Sequence, residues 1–186
     1  MNTPSTHMKV LTVFARYGFR KSSMEDLAKA ADVSRQTLYN RFRSKEAVLD
    51  WAVEGVAVDL RNRAFAALDD RTLPVDACLT EAFSRWIGDL VPLLHSSPHA
   101  SEIMDMGSES LRQAGIDMHA EVEKVVTQTL LDRGVYATAG EAAEMTFVLL
   151  VASKGLMLKS QTLDEFETGM ARVVGTVLQR AHSGIR

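Results

Sequence analysis

The side chains best suited to chemistry in this sequence are hydrogen-bonding groups within residues 35–45, Arg-Gln-Thr-Leu-Tyr-Asn-Arg-Phe-Arg-Ser-Lys. If Leu38 is the centre of a buried helix face and each residue advances by about 100°, Gln36 and Asn40 lie on the opposite face, one turn apart. Each amide carries a donor and an acceptor, which match the N6/N7 edge of adenine in the major groove, and the methyl group of Thr37 can contact a thymine methyl. This spacing predicts a helix face that reads base edges in duplex DNA.

Cationic side chains and a tyrosine flank this predicted reading face. The guanidinium groups and the Tyr39 hydroxyl suit phosphate oxygens, and Lys45 begins the next predicted helix, where free backbone N–H groups can meet the same phosphate. We therefore predict that Gln36, Thr37 and Asn40 contact bases and that the flanking residues contact the DNA backbone. The complete predicted DNA-binding set is Ser23, Arg35, Gln36, Thr37, Tyr39, Asn40, Arg41, Arg43 and Lys45.

Two short helices and a tight turn are predicted to position this face. Ser23 is a good N-cap, with Asp26 three residues later, for a helix from about Met24 to Ala31. Asp32 occupies the turn, and Asp is among the few residues other than Gly that tolerate a left-handed conformation. Ser34 then caps the reading helix. The pattern indicates a helix-turn-helix unit.

Apolar spacing of three and four residues continues along the rest of the chain, and no period-two strand pattern is present. The firm prediction is an all-α fold, in which a long fourth helix could connect two domains. With breaks at Gly18, Leu73-Pro74, Pro98, Gly107, Gly134 and 162–164, the predicted helices are about 5–17, 24–31, 35–42, 45–68, 75–95, 98–106, 108–133, 139–160 and 163–182.

Charge is divided unevenly along the 186 residues. Residues 1–50 contain nine Lys and Arg against five Asp and Glu, whereas residues 51–186 contain twelve against nineteen. A basic N-terminal quarter can meet phosphates, and an acidic remainder discourages random adhesion to DNA. The single cysteine, Cys78, and the absence of a signal-peptide pattern or a long apolar run predict a soluble, cytoplasmic protein with no membrane partner.

The N-terminal region contains a set of residues that is typical of one family: Gly18-Phe19, Ser23, Leu27-Ala28, Val33-Ser34, Thr37-Leu38-Tyr39, Phe42 and Ser44-Lys45-Glu46. These residues resemble the signature of the tetracycline-repressor (TetR) family of ligand-responsive transcriptional regulators. The resemblance implies a three-helix helix-turn-helix domain, residues 1–46, followed by a larger helical domain for ligand binding and dimerisation, residues 47–186, with about nine helices in all. Two features depart from the family: Asp32 stands where Gly is usual, and residues 5–9 provide no extended basic arm.

The resemblance also implies an effector cavity and a homodimer formed by the last two helices. Flexible methionines and aromatic rings are suited to an adaptable apolar cavity, and small residues let helices approach closely. Ordinary core packing is the open alternative for both sets. The predicted ligand-binding residues are Phe83, Trp86, Met104, Met118, Phe147 and Leu150, and the predicted dimer-interface residues are Val151, Gly155, Leu158, Met170, Val173, Val174 and Val177.

Other functions have weaker support in the sequence. Pro98 disrupts the helical spacing of His95 and His99, so we predict no metal site, and we predict no cofactor. No nucleophile elbow, Gly-rich phosphate loop or paired carboxylate motif indicates an enzyme. We predict a homodimeric repressor that a small, mainly apolar effector releases from a palindromic operator. The alternatives are an effector-independent DNA-binding protein and an all-α enzyme.

Overall fold

The computed structural model describes residues 4–183, and within this range every regular element is helical, as predicted. A single-turn 3-10 helix, Gly88–Leu90, separates two of the α-helices. The helices are α1 (Thr6–Tyr17), α2 (Met24–Ala30), α3 (Arg35–Arg41), α4 (Lys45–Asp69), α5 (Val75–Trp86), α6 (Val91–Ser96), α7 (Ala100–Gln113), α8 (Met118–Asp132), α9 (Ala139–Lys159) and α10 (Leu163–Ser183). None of the helices in this range is long and apolar enough to cross a membrane.

Two predicted helix boundaries are wrong. The predicted helix 75–95 is interrupted at Ile87, where the 3-10 turn separates α5 from α6. The predicted break at Gly107 does not occur, because Gly107 lies within α7, where a Cβ atom would be only 3.1 Å from Val53 Cγ2. The break is at Gly115 instead, whose φ of 71° ends α7 with a hydrogen bond from Ile116 N to Leu111 O. Gly107 therefore allows α7 to pack closely against Val53 of α4, and it does not end a helix.

The chain divides into two compact units, and the first comprises Met1–Asp59 and Leu93–Asp117. Its core is formed by completely or almost completely buried apolar side chains, including Phe14, Leu27 and Leu38. α1 packs closely on α4 at Gly55, where an added Cβ atom would collide with the His7 ring. The first unit therefore contains the whole helix-turn-helix region and holds it on a packed core.

The second unit comprises Leu60–Pro92 and Met118–Arg186. Its core includes Phe83, Leu79 and Phe166, and the Phe166 ring lies so near Gly88 that a Cβ atom there would be 2.7 Å from it. A half-buried ion-pair network joins Arg63 and Arg85 to the carboxylate of Asp89 at 2.5 and 3.0 Å. Burial raises the pKa of Asp89, and the two guanidinium groups oppose that rise.

Candidate functional site

The turn between α2 and α3 has the geometry that the sequence predicts. Ser23 and Asp26 form a reciprocal capping box at the start of α2, and hydrogen bonds from the Ser23 hydroxyl and backbone hold the pKa of Asp26 below its usual value. Asp32 has a φ of 57°, which confirms the predicted left-handed turn residue. The backbone N–H of Val33 donates to Ala28 O at 3.0 Å and closes the turn. The reversal therefore depends on local side-chain caps and on one strained residue.

Leu38 anchors α3 to the first unit. It is 2% exposed and is the buried residue of this seven-residue helix. Ser34 caps α3, since its hydroxyl accepts from Thr37 N at 3.0 Å and also contacts Thr37 Oγ1 at 2.8 Å. Val33 lies in the turn with 41% of its surface exposed, and Phe42 is only half-buried. α3 is held by one central leucine rather than by a row of apolar residues.

The two amides of the predicted reading face are joined to each other. Both side chains are exposed, and Gln36 Nε2 donates to Asn40 Oδ1 over 2.9 Å. This bond leaves the Gln36 carbonyl oxygen and the Asn40 amino group available outward, as one acceptor and one donor. The hydrogen bond holds the two side chains together, and their remaining acceptor and donor would match the N6 donor and the N7 acceptor of an adenine.

The flanking arginines contact aromatic rings. The Arg35 guanidinium lies 5.4 Å from the centroid of Tyr39, whose hydrogen bond raises the pKa of Arg35. The Arg41 guanidinium lies 5.2 Å from the Phe42 ring and 5.0 Å from the Trp51 ring. Such contacts fix the direction of a long cationic side chain and leave its outer N–H groups open to an anion. The role of Trp51 is not apparent from the sequence, because no local spacing relates it to Arg41.

Lys45 and Arg43, the last two predicted phosphate contacts, differ in their surroundings. Arg43 is exposed between α3 and α4. Lys45 is half-buried, and its ammonium donates to the backbone carbonyls of Arg20 and Ser22 at 3.1 and 3.0 Å. The Lys45 side chain therefore joins the start of α4 to the segment before α2, an interaction that residue spacing could not reveal.

The predicted ligand-binding residues are divided between the two units. Phe83, Trp86 and Met118 are buried in the second unit, whereas Met104 belongs to α7 in the first unit. The prediction that Phe147 lines an enclosed cavity is wrong, because 63% of its surface is exposed on the outside of α9. The remaining residue, Leu150, is half-buried. Of the six predicted residues, Phe83, Trp86 and Met118 are thus the three that are buried within the second unit.

Trp86 has an additional feature. Among the described residues, its indole nitrogen is buried without a hydrogen-bond acceptor, and the ring meets His119 edge-on with a centroid separation of 6.0 Å. A buried donor without an acceptor is costly, and an acceptor placed within hydrogen-bond distance would remove that cost.

The predicted dimer-interface residues divide between an exposed face and the core. On α9, Val151 and Leu158 are 54% and 65% exposed, and Phe147 lies on the same side. Gly155 is also exposed, and a Cβ atom added there would meet no other atom within 4 Å. We call this surface the α9 face, comprising Phe147, Val148, Val151, Gly155 and Leu158.

On α10, by contrast, the predicted interface positions point inward. Met170 and Val174 are fully buried, Val177 is 4% exposed and Val173 is half-buried. The prediction for Met170, Val174 and Val177 is therefore wrong, because these side chains belong to the core of the second unit and expose at most 4% of their surface. The apolar stripe predicted for α10 is present, but it packs within the chain.

The two histidines considered for metal binding, His95 and His99, are not part of a metal-binding group among the described residues. No group of three or more His, Cys, Asp or Glu residues within 4–183 is arranged to hold a metal ion. His99 instead pairs with Glu102 through Nδ1 at 3.2 Å.

Comparison with known proteins finds a family model that matches the N-terminal region. Residues 11–51 match the model of bacterial regulatory proteins of the tetR family, and this segment includes α2, the turn, α3 and the start of α4. None of the curated proteins compared with the chain matches it.

Solved structures resemble the chain over nearly its whole length. A transcriptional regulator from Rhodococcus sp. Rha1 has a TM-score of 0.69 and 19% identity, with 94% of this chain and 95% of that chain covered. A TetR-family transcriptional regulator from Streptomyces coelicolor has a TM-score of 0.65 and 16% identity, with 95% and 93% covered. At such identities the likeness establishes the fold, and the N-terminal match adds the DNA-binding region. The chain thus has the fold of these transcriptional regulators, and its residues 11–51 are similar to the N-terminal region of the tetR family of bacterial regulatory proteins.

Proposed function

We propose that this protein is a homodimeric repressor that binds a palindromic operator and is released by a small, mainly apolar effector. The observation that carries the DNA-binding part is the Gln36–Asn40 amide pair, exposed on a helix that a capped turn and Leu38 hold in place. In helix-turn-helix proteins such a helix enters the major groove, and two copies read half-sites about one helical turn apart, ~34 Å.

The distribution of charge supports the same proposal. The first 50 residues, which include α3, contain nine Lys and Arg against five Asp and Glu, and the acidic remainder of the chain would repel phosphates. Ser23, Arg35, Tyr39, Arg41 and Arg43 are the proposed backbone contacts. These contacts provide affinity and orientation, and the amide pair with Thr37 provides sequence preference.

Dimerisation is supported by the α9 face. Phe147, Val151 and Leu158 are each more than half exposed, although α9 packs against α8 and α10 on its other sides. Contiguous exposed apolar side chains on one helix face indicate an interaction surface. The proposed occupant is the same face of a second copy, because a two-fold dimer would present two α3 helices to a palindrome.

An effector site in the second unit is supported by three buried side chains of that unit, Phe83, Trp86 and Met118. Their aromatic and thioether groups suit an apolar ligand, and the unpaired Trp86 N–H favours a ligand with a hydrogen-bond acceptor. The ligand need only bind one conformation of the dimer more tightly than the other to change operator affinity.

The DNA-binding proposal is tested with the palindromic DNA upstream of the gene. We expect tight binding, and the logarithm of the association constant should fall linearly with the logarithm of the salt concentration. Gln36→Ala should lose about 1–3 kcal/mol of preference for the cognate base, whereas Arg43→Met should weaken all sequences alike and reduce the salt slope by about 0.9. Fluorescence anisotropy at four salt concentrations, on the palindrome and on a scrambled duplex, measures both effects.

Undetectable or salt-independent binding by the wild-type protein would remove the DNA-binding proposal. If Gln36→Ala and Arg43→Met had the same effect on both duplexes, Gln36 would not be a base-reading residue.

The effector proposal is tested by a thermal-shift screen of metabolites and antibiotics. A compound at about 100 times its Kd should add about 2.7 kcal/mol to the free energy of unfolding and raise the Tm by several degrees. The same compound should release the palindrome. Trp86→Phe keeps the aromatic ring and removes the N–H donor, so it should reduce the shift. A compound that stabilises the protein and tightens DNA binding would contradict effector-induced release.

A further inference from the structure

The segment between α1 and α2 is a hydrogen-bonded loop, which we define as the α1–α2 loop, residues 18–23. Gly18 ends α1 with a φ of 81°, and its N–H donates to Phe14 O at 2.8 Å. Ser22 is 3% exposed, and both its backbone N–H and its hydroxyl donate to Gly18 O, at 3.1 and 2.8 Å. The loop therefore has a defined shape at the point where it delivers the chain to the Ser23 cap of α2.

Lys45, more than twenty residues further along the chain, binds this loop. Its ammonium donates to the carbonyls of Arg20 and Ser22 at 3.1 and 3.0 Å, and it lies 4.8 Å from the centroid of the Phe19 ring. An ammonium has three N–H donors and no acceptor, so two carbonyls and an aromatic face account for most of its binding capacity. The Phe19 ring is itself held by stacking on Phe14, with a centroid separation of 5.7 Å.

We propose that Lys45 is a positioning residue for DNA binding, which acts through the α1–α2 loop rather than by contacting a phosphate itself. This inference rests on the DNA-binding function proposed above. The Lys45 side chain fixes the start of α2, with the exposed Ser23 cap and the basic residues Arg20 and Lys21, relative to the start of α4. It thereby determines where the start of α2, with the proposed backbone contact Ser23, lies beside α3.

The interactions of Lys45 distinguish this role from a direct phosphate contact. Two of the three ammonium N–H groups donate to the carbonyls, and a movement of the ammonium towards a phosphate would break these charge-assisted hydrogen bonds and leave the carbonyls without their donor. Arg43, two residues earlier, is exposed and could contact a phosphate without giving up hydrogen bonds of this kind. The two neighbouring cations should therefore differ in how they affect the salt dependence of binding.

The test compares Lys45→Met, which keeps the aliphatic stem and removes the ammonium, with Arg43→Met. For Lys45→Met we expect affinity for the palindrome to fall by roughly tenfold, because two charge-assisted hydrogen bonds that hold the loop are lost. The salt slope should stay at the wild-type value, whereas Arg43→Met should reduce it by about 0.9. Anisotropy titrations over a salt series measure affinity and slope together.

A second measurement uses the full-length protein without DNA. In Lys45→Met, amide hydrogen exchange within residues 18–24 should be faster than in the wild type, and Arg43→Met should leave it unchanged. If Lys45→Met fails to fold, Phe19→Leu replaces it as the test, because this variant disturbs the loop and retains every charge. It should lower affinity at an unchanged slope.

A slope reduced by about one in Lys45→Met would overturn the proposal in favour of a direct phosphate contact. Wild-type affinity in Lys45→Met, or in Phe19→Leu where that variant is the test, would also overturn it. If the wild-type protein itself does not bind the palindrome, the proposed DNA-binding function fails, and that result is distinct from a failure confined to the variants.

Discussion

Replacing Val151 with glutamate should convert the dimer into monomers and weaken binding to the palindrome by at least about 100-fold. Val151 lies between Phe147 and Leu158 on the α9 face and is 54% exposed in the single chain. In a two-fold interface each substituted residue would place a carboxylate in apolar surroundings, and the two copies would bring like charges close together. Sedimentation velocity and anisotropy at the same protein concentration measure assembly and DNA binding.

A matched control is available on α4. Val58 is 39% exposed and lies outside the α9 face, so Val58→Glu makes the same chemical change at a comparable exposure. We expect Val58→Glu to remain dimeric and to bind the palindrome with wild-type affinity. A Val151→Glu protein that remains a dimer with wild-type DNA affinity would exclude the α9 face as the dimer surface.

The different outcomes on α9 and α10 indicate what periodicity can and cannot predict. Val151 and Val174 both belong to apolar stripes with helical spacing, yet Val151 is largely exposed and Val174 is fully buried. Hydrophobic periodicity identifies the side of a helix that avoids water. It does not identify whether the partner is the same chain or another copy, because that choice depends on tertiary packing.

The helix-turn-helix region was predicted more accurately because its determinants are local. The Ser23 and Ser34 caps and the left-handed Asp32 each depend on groups within about four residues, and each has the predicted geometry. Lys45 and Arg41 depend on partners that are distant in sequence: the Arg20 and Ser22 carbonyls for Lys45, and Trp51 for Arg41. The sequence could thus predict which cations lie near the reading face but not which of them are already bound to the protein.

The other large effect is expected for Leu38→Ala, which should abolish specific DNA binding. Leu38 is the buried residue of α3, and Leu→Ala changes in well-packed cores cost about 2–5 kcal/mol. A seven-residue helix is far shorter than the ~12–15 residues that an isolated helix needs for even marginal stability in water. Without its anchor, α3 should lose its fixed position before the core around Phe14 and Leu27 unfolds.

Leu38→Met is the matched control, because it preserves volume and should cost less than about 1.5 kcal/mol. We expect Leu38→Met to retain specific binding and Leu38→Ala to bind the palindrome and scrambled DNA equally weakly, with exchange of α3 amides accelerated in the alanine variant. Gln36→Ala provides the complementary case, in which α3 remains ordered and only base preference is lost. If Leu38→Ala retained specific binding, the caps and the turn alone would be sufficient to hold the reading helix, and the Gln36–Asn40 pair would not depend on the core beneath it.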